Sequence, residues 1–204
     1  MAMLVLDSQV EDRLREERER SGADRFDEVW DGVYVMSPLA NNEHQGLASG
    51  ISAVLQIVLN WGELGEVFAG VNVSDREDDW DHNYRCPDIA VYLKGTTSRD
   101  CGTHWLGGPD LAVEVASKGD RSREKLDFYA RVSTRELLLV DRDPWGLELY
   151  RLADGVLKLV GTSRPGEGGP LRAESLPLDF GLVAGGPRPR VEVARRDGGE
   201  SWRI

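Results

Sequence analysis

Residues 109–125 read PDLAVEVASKGDRSREK. Proline opens the stretch, and Ala112 to Ala116 form an apolar run interrupted by one carboxylate, Glu114. A short, nearly continuous apolar run of this kind predicts a strand buried on both faces. The charged segment after it, DRSREKLDFYARV, predicts a helix capped by Asp120, with Leu126 and Tyr129 on its inner side. Side chains alternate across a strand, so Leu111, Val113 and Val115 share one face while Ala112, Glu114 and Ala116 share the other. Two alanines beside the glutamate leave room around its carboxylate. A buried charge needs either a cationic partner, such as one arginine, or a metal ion.

The neighbouring segments extend the pattern. CPDIAVYL is a second apolar run opened by Pro87, with Asp88 at its entrance. RELLLVDRDPWGLELYRL predicts two strands joined by a turn at Asp143–Gly146. FDEVWDGVYVMSP alternates around Asp31–Gly32, a strong hairpin signal. In NNEHQGLASGISAVLQIVLNW, Leu47, Ile51, Val54, Leu55 and Val58 recur at helical spacing behind asparagine caps. GEVFAGVNV predicts another strand. Residues 8–20 predict a polar helix capped by Ser8 outside the core, and after Gly155 come a short strand, the flexible SRPGEGGP and a tail, GGPRPRVEVARRDGGESWRI. The sum is an α/β (α+β) fold, a mixed central sheet flanked by helices. The expected division is an N-terminal helical extension over 1–22, one domain over 23–193 and a C-terminal tail over 194–204.

Composition bounds the function. The chain has 204 residues, 40% hydrophobic and 30% charged, which suits one soluble domain with a substantial core. No apolar run approaches the roughly 20 residues that span a bilayer, and the N-terminus does not read as a secretory signal. Two cysteines, Cys86 and Cys101, make no disulfide framework and are expected as free thiols in a cytoplasmic protein. The net charge of −11 lacks the basic footprint of a phosphate-gripping protein. A nucleic-acid role therefore requires a local basic groove, a partner or a divalent metal.

If the strands carrying Asp88 and Glu114 are adjacent, their carboxylates can converge on one hard cation, Mg²⁺ or Mn²⁺. Such an ion lowers the pKa of bound water and polarises a phosphate. Lys125, about one turn into the following helix, could reach back to orient that water or offset developing negative charge. Asp110 also follows a proline, but it is read as a strand-entry residue. His82 and His104 are read as solvated loop residues, and there is no nucleophile elbow.

The motifs PDIAVYL, GGPDLAVEVASKGDRSREKLDFYA and RELLLVDRDPWGLELYRL, preceded by DEVWDGVYVMSP and NNEHQ, together resemble the Uma-two-type "putative restriction endonuclease" family. That family is a bacterial branch of the PD-(D/E)XK nuclease superfamily. The resemblance runs from about Phe26 to Leu152 and more weakly to about Val193. It implies a restriction-endonuclease-like core, with Asp88 as the PD aspartate and Glu114 as the acidic residue of the second motif. The superfamily lysine would stand at position 116, where this chain has Ala116. The resemblance points instead to Lys125, with Lys118 as second choice. His44 and Glu28 match recurrent family positions. His44 is read either as a metal-water contact or base, or as a local cap. Glu28 is read as serving the backbone.

The implied activity is metal-dependent hydrolysis of DNA phosphodiester bonds, with Asp88, Glu114 and the Val115 carbonyl holding Mg²⁺ or Mn²⁺ and no membrane partner. Cutting both strands at once needs a pair of sites, which a homodimer would supply. The alternatives are a nuclease fold that binds without cleaving, and a metal-dependent hydrolase of another phosphate substrate. Fold-level analogy does not separate these.

Overall fold

A computed structural model describes residues 3–117, 119 and 121–204. The segment quoted above supplies the middle of the architecture. Leu111–Ala116 is a fully buried strand. It runs parallel to Glu136–Arg142 on one side and antiparallel to Ile89–Leu93 on the other. Around these three strands stands a six-stranded mixed sheet, completed by Gly65–Ala69 at one edge and by Trp145–Ala153 and Val156–Ser163 at the other. Only the central pair is parallel, and the chain crosses between its members through a short 3₁₀ turn, Ser122–Lys125, and the helix Leu126–Arg131. The expected single helix is therefore a two-part crossover, and its expected cap, Asp120, lies outside the described residues.

The two faces follow the predicted alternation. Leu111, Val113 and Val115 pack with Leu47, Ile51 and Leu55 of the helix Asn42–Leu55 and with Phe180 and Val193 of a C-terminal sheet. Ala112 and Ala116 pack with Phe128 and Tyr129 of the crossover. The last two strands of the C-terminal sheet correct the reading of their region as a tail. The sheet comprises Leu171–Arg172, Leu178–Val183, Arg190–Arg195 and Ser201–Arg203. Residues 156–163 likewise form an eight-residue strand where a short one was expected. Leu178–Val183 and Arg190–Arg195 do alternate, and the buried Leu178, Phe180, Leu182, Val191 and Val193 join the core beneath the central sheet.

A third sheet of seven short strands begins with Met3–Val5 and includes the hairpin Glu28–Trp30 and Val33–Met36. Asp31 and Gly32 both take positive φ, 48° and 86°, as a two-residue hairpin of this twist requires. The polar helix Ser8–Ser21 is capped by Asp7, one residue before the expected Ser8. The segment Tyr84–Leu93 passes from this third sheet into the central one, and so carries Cys86, Pro87 and Asp88 across the boundary. No helix among the described residues is long and apolar enough to cross a membrane.

Gly108 fixes how the central strand meets the crossover. Its N–H donates to the Val132 carbonyl at 2.6 Å. A Cβ there would stand 2.5 Å from the Thr134 nitrogen and 2.8 Å from its Cα. Because the obstruction is main chain, it cannot rotate away. Gly108→Ala is expected to destabilise the fold by about 1–3 kcal/mol, the usual cost of overpacking, read as a lower denaturation midpoint with unchanged slope.

Candidate active site

The register places the two acidic residues. Ala112 pairs with Ala90 and Val113 with Ile89, so one further step along the strands sets Glu114 opposite Asp88. The ladder stops there because Asp88 takes over the hydrogen bond: its Oδ2 accepts the Val115 N–H at 2.7 Å. In an extended strand the N–H and C=O of one residue point to the same edge. The Val115 carbonyl therefore faces the Asp88 side as well, beyond the last paired residues.

Lys125 approaches from the crossover. Its Nζ donates to both Glu114 oxygens at 3.0 Å and lies 2.8 Å from Glu28 Oε1. Tyr129, one helical turn further on, donates its hydroxyl to Glu114 Oε1 at 2.5 Å. His44 enters from the first turn of the helix Asn42–Leu55, where Asn41 caps its N–H at 2.9 Å. Its Nε2 lies 3.2 Å from Asp88 Oδ1, and its Nδ1 is buried with no hydrogen-bond partner among the described residues. Arg142 fastens this helix start to the central strand. It donates to the Ala116 carbonyl, Asn41 Oδ1, Glu43 Oε2 and Ser117 Oγ. Glu28, His44, Asp88, Glu114, Ser122 and Lys125 share one cavity of about 270 Å³.

The electrostatics follow from burial. Burial pushes the Glu114 carboxyl up to about 8; Asp88 and Glu28 add to the rise, while Lys125 and the Tyr129 hydrogen bond oppose it. Burial also works against the Lys125 charge, but Glu114 and Glu28 outweigh it and hold the ammonium above its ordinary value. Burial raises the Tyr129 phenol well above its usual range and pushes the Cys86 thiol up, so both are neutral. Among the described residues, Glu28, Asp88 and Glu114 gather near the Lys125 ammonium, with the Arg85 guanidinium adding positive charge near Glu28, so full ionisation leaves a surplus of negative charge.

That surplus is what a divalent cation would neutralise, and the donors on offer suit a hard one: carboxylate oxygens and a main-chain carbonyl. Among the described residues, no cluster of three or more His, Cys, Asp or Glu side chains is arranged for ligation. The fitting set is therefore Asp88, Glu114 and the Val115 carbonyl, with water completing it.

Of the residues singled out in the sequence, Asp88, Glu114, Val115, Lys125 and His44 come together at this cavity, and Lys118 lies outside the described residues. Asp110 is structural, accepting the Leu93 N–H at 2.8 Å and Arg135 Nη1 at 2.9 Å. His82 is exposed, but His104 is buried, stacked on Trp80 and bonded to the Arg76 carbonyl, which corrects its reading as a solvated loop residue. Both cysteines are free. Glu28 does serve the backbone, accepting the Cys86 N–H at 2.9 Å, and it also contacts Lys125. Sequence reasoning did not pair Tyr129 with Glu114; the signal was its spacing of four from Lys125, which puts both on one side of a helical turn.

No curated protein matches the chain. A solved structure described as "a putative nuclease belonging to DUF820" from Anabaena variabilis matches with a TM-score of 0.53 and 17% sequence identity, covering 65% of this chain and 75% of that one. At that identity the likeness shows a shared fold. A family model, Uma2, described as "Putative restriction endonuclease", matches residues 13–184, and the chain belongs to this family.

Proposed function

We propose that the protein is a metal-dependent endonuclease that hydrolyses DNA phosphodiester bonds. The observation that carries this reading is the convergence of Asp88 and Glu114 at one step of the strand register, with Lys125 bonded to Glu114. The family description supports nuclease chemistry, and the cavity of about 270 Å³ suits a phosphate and its water better than a bulky organic ligand.

Asp88, Glu114 and the Val115 carbonyl would hold Mg²⁺ or Mn²⁺. Bound there, the ion supplies Lewis acidity and a water of lowered pKa. His44 and the Val115 N–H fix the two oxygens of Asp88. The Lys125 ammonium orients the attacking water or offsets charge on the phosphate as the P–O bond to the leaving group breaks. The cation also counters repulsion between DNA and a chain of net charge −11.

The test incubates supercoiled plasmid, linear duplex and single strands with Mg²⁺ or Mn²⁺, using wild type beside Asp88→Ala and Glu114→Ala. Cleavage equal in all three proteins overturns the assignment. A second reading, a nuclease fold that binds without cutting, draws on Ala116 at the motif lysine position. Cation binding with no cleavage of any substrate would establish it.

Affinity for the cation should depend on pH through Glu114. Below about pH 8 its carboxyl retains its proton, which an incoming cation must displace. Mn²⁺ affinity is therefore expected to rise by up to about tenfold per pH unit and to level off above about 8, and Glu114→Gln should flatten that slope. Stability runs the other way without metal. A carboxyl whose folded value lies above its unfolded one loses stability as pH climbs, here from about 4.5 to about 8. The gain in Tm on adding Mn²⁺ should accordingly grow across that window.

A further inference from the structure

Two carboxylates hold Lys125, and they are held in different ways. Among the described residues, Glu114 is gripped by side chains alone, the Lys125 ammonium and the Tyr129 hydroxyl, both from the crossover. Glu28 has a main-chain donor, which cannot follow it, as well as a side-chain one. Its Oε1 accepts the Cys86 main-chain N–H at 2.9 Å, and its Oε2 accepts Trp30 Nε1 at 2.6 Å. Trp30 is itself pinned, with the Arg85 guanidinium 4.7 Å above its ring. Glu28 is only 2% exposed, so solvent cannot replace these partners. It is also the nearer carboxylate to the ammonium, at 2.8 Å against 3.0 Å.

This asymmetry matters when Glu114 turns to a cation. A metal ligand gives up electron density that the ammonium otherwise shares, and a freely placed lysine would either compete with the cation or leave the site. We propose that Glu28 is the positioning residue for Lys125, retaining the ammonium at the site when Glu114 is engaged by a divalent cation. In this proposal Glu28 acts through Lys125 and is not itself a ligand; Cys86 and Trp30 already donate to its two oxygens. This inference rests on the reading of Asp88 and Glu114 as the cation-holding pair.

A two-by-two cycle tests it, with Mn²⁺ binding to the full chain measured by calorimetry for wild type, Glu28→Gln, Lys125→Met and the double variant. Glutamine keeps the size of Glu28 and an oxygen for the Cys86 N–H, but loses the charge that retains lysine and the acceptor of the Trp30 indole, a loss that the Lys125→Met background shares. Glu28→Gln alone is expected to weaken Mn²⁺ binding about tenfold, because the ammonium collapses onto Glu114 and must be displaced. In the Lys125→Met background the same change should alter affinity less than about twofold. A loss that persists undiminished in that background would make Glu28 a ligand, and no loss in wild type would make it a scaffold residue only; either overturns the proposal. Wild type that binds no Mn²⁺ overturns the cation reading together with this inference, whereas normal binding with a failed cycle overturns this inference alone. A second measurement needs no lysine variant. The buried ¹⁵Nζ resonance of Lys125 should survive addition of diamagnetic Mg²⁺ in wild type and broaden in Glu28→Gln; survival in both overturns the proposal.

Discussion

On the proposed function, Asp88→Asn is expected to lower DNA cleavage by at least about 10³-fold while leaving the fold nearly as stable as wild type. Asparagine retains an oxygen to accept the Val115 N–H, now met at 2.7 Å, so no buried donor is stranded. What is lost is the negative charge that a divalent cation requires, together with the charged partner of His44 Nε2. The expected pattern is therefore a large fall in Mn²⁺ affinity and turnover with a Tm close to that of wild type. Asp88→Ala should show the same catalytic loss plus about 1–3 kcal/mol of destabilisation, because the Val115 N–H then has no acceptor. Wild-type turnover in Asp88→Asn would remove Asp88 from the reaction and leave it as a strand-end residue.

Lys125→Met should be the most destabilising single change in the site. It removes the ammonium that bridges Glu28 and Glu114, both almost fully buried. Stranding buried charge in this way typically costs about 3–5 kcal/mol. The cost should vary with pH, with a sign set by Glu114. Lys125 holds the Glu114 carboxyl down against burial, so its loss drives that group above about 8. At pH values below that point Glu114 takes up a proton and relieves part of the strain; above it the carboxylate must ionise unpaired. Denaturation of Lys125→Met against wild type should give a smaller difference under mildly acidic conditions than under alkaline ones. Added Mn²⁺ should restore part of the lost stability, since a cation can replace the ammonium as counter-charge. A pH-independent difference would mean that Glu28 alone carries the burden. Unchanged turnover in a folded Lys125→Met protein would remove the lysine from the chemistry.

The core of the fold was legible because its signals are local. An apolar run opened by Pro109, alternation around Asp31–Gly32, and leucines at helical spacing behind Asn41 each depend on neighbours within a turn or a strand. The faces of the central strand followed for the same reason, down to Glu114 sharing its side with Ala112 and Ala116. The last two strands were read as a tail although Val191 and Val193 alternate with polar neighbours, and Ser201–Arg203 depends on pairing with Arg190–Arg195. Likewise, nothing local distinguishes the buried, stacked His104 from a solvated loop histidine.

For the site, the sequence by itself determined the inventory: a lone carboxylate in a buried strand, an aspartate at the mouth of another apolar run, and a lysine at the start of the following crossover. Tertiary structure decided which of these meet. The antiparallel register set Glu114 opposite Asp88 and left Asp110 to Arg135 and the Leu93 N–H. The passage of Tyr84–Leu93 between two sheets brought the hairpin residue Glu28 to Lys125, a contact that no local periodicity encodes. The physical reason is that periodicity fixes the direction of a side chain relative to its own backbone. Its charge partner depends on strand register and on which elements pack together, and these are set by burial across the whole molecule.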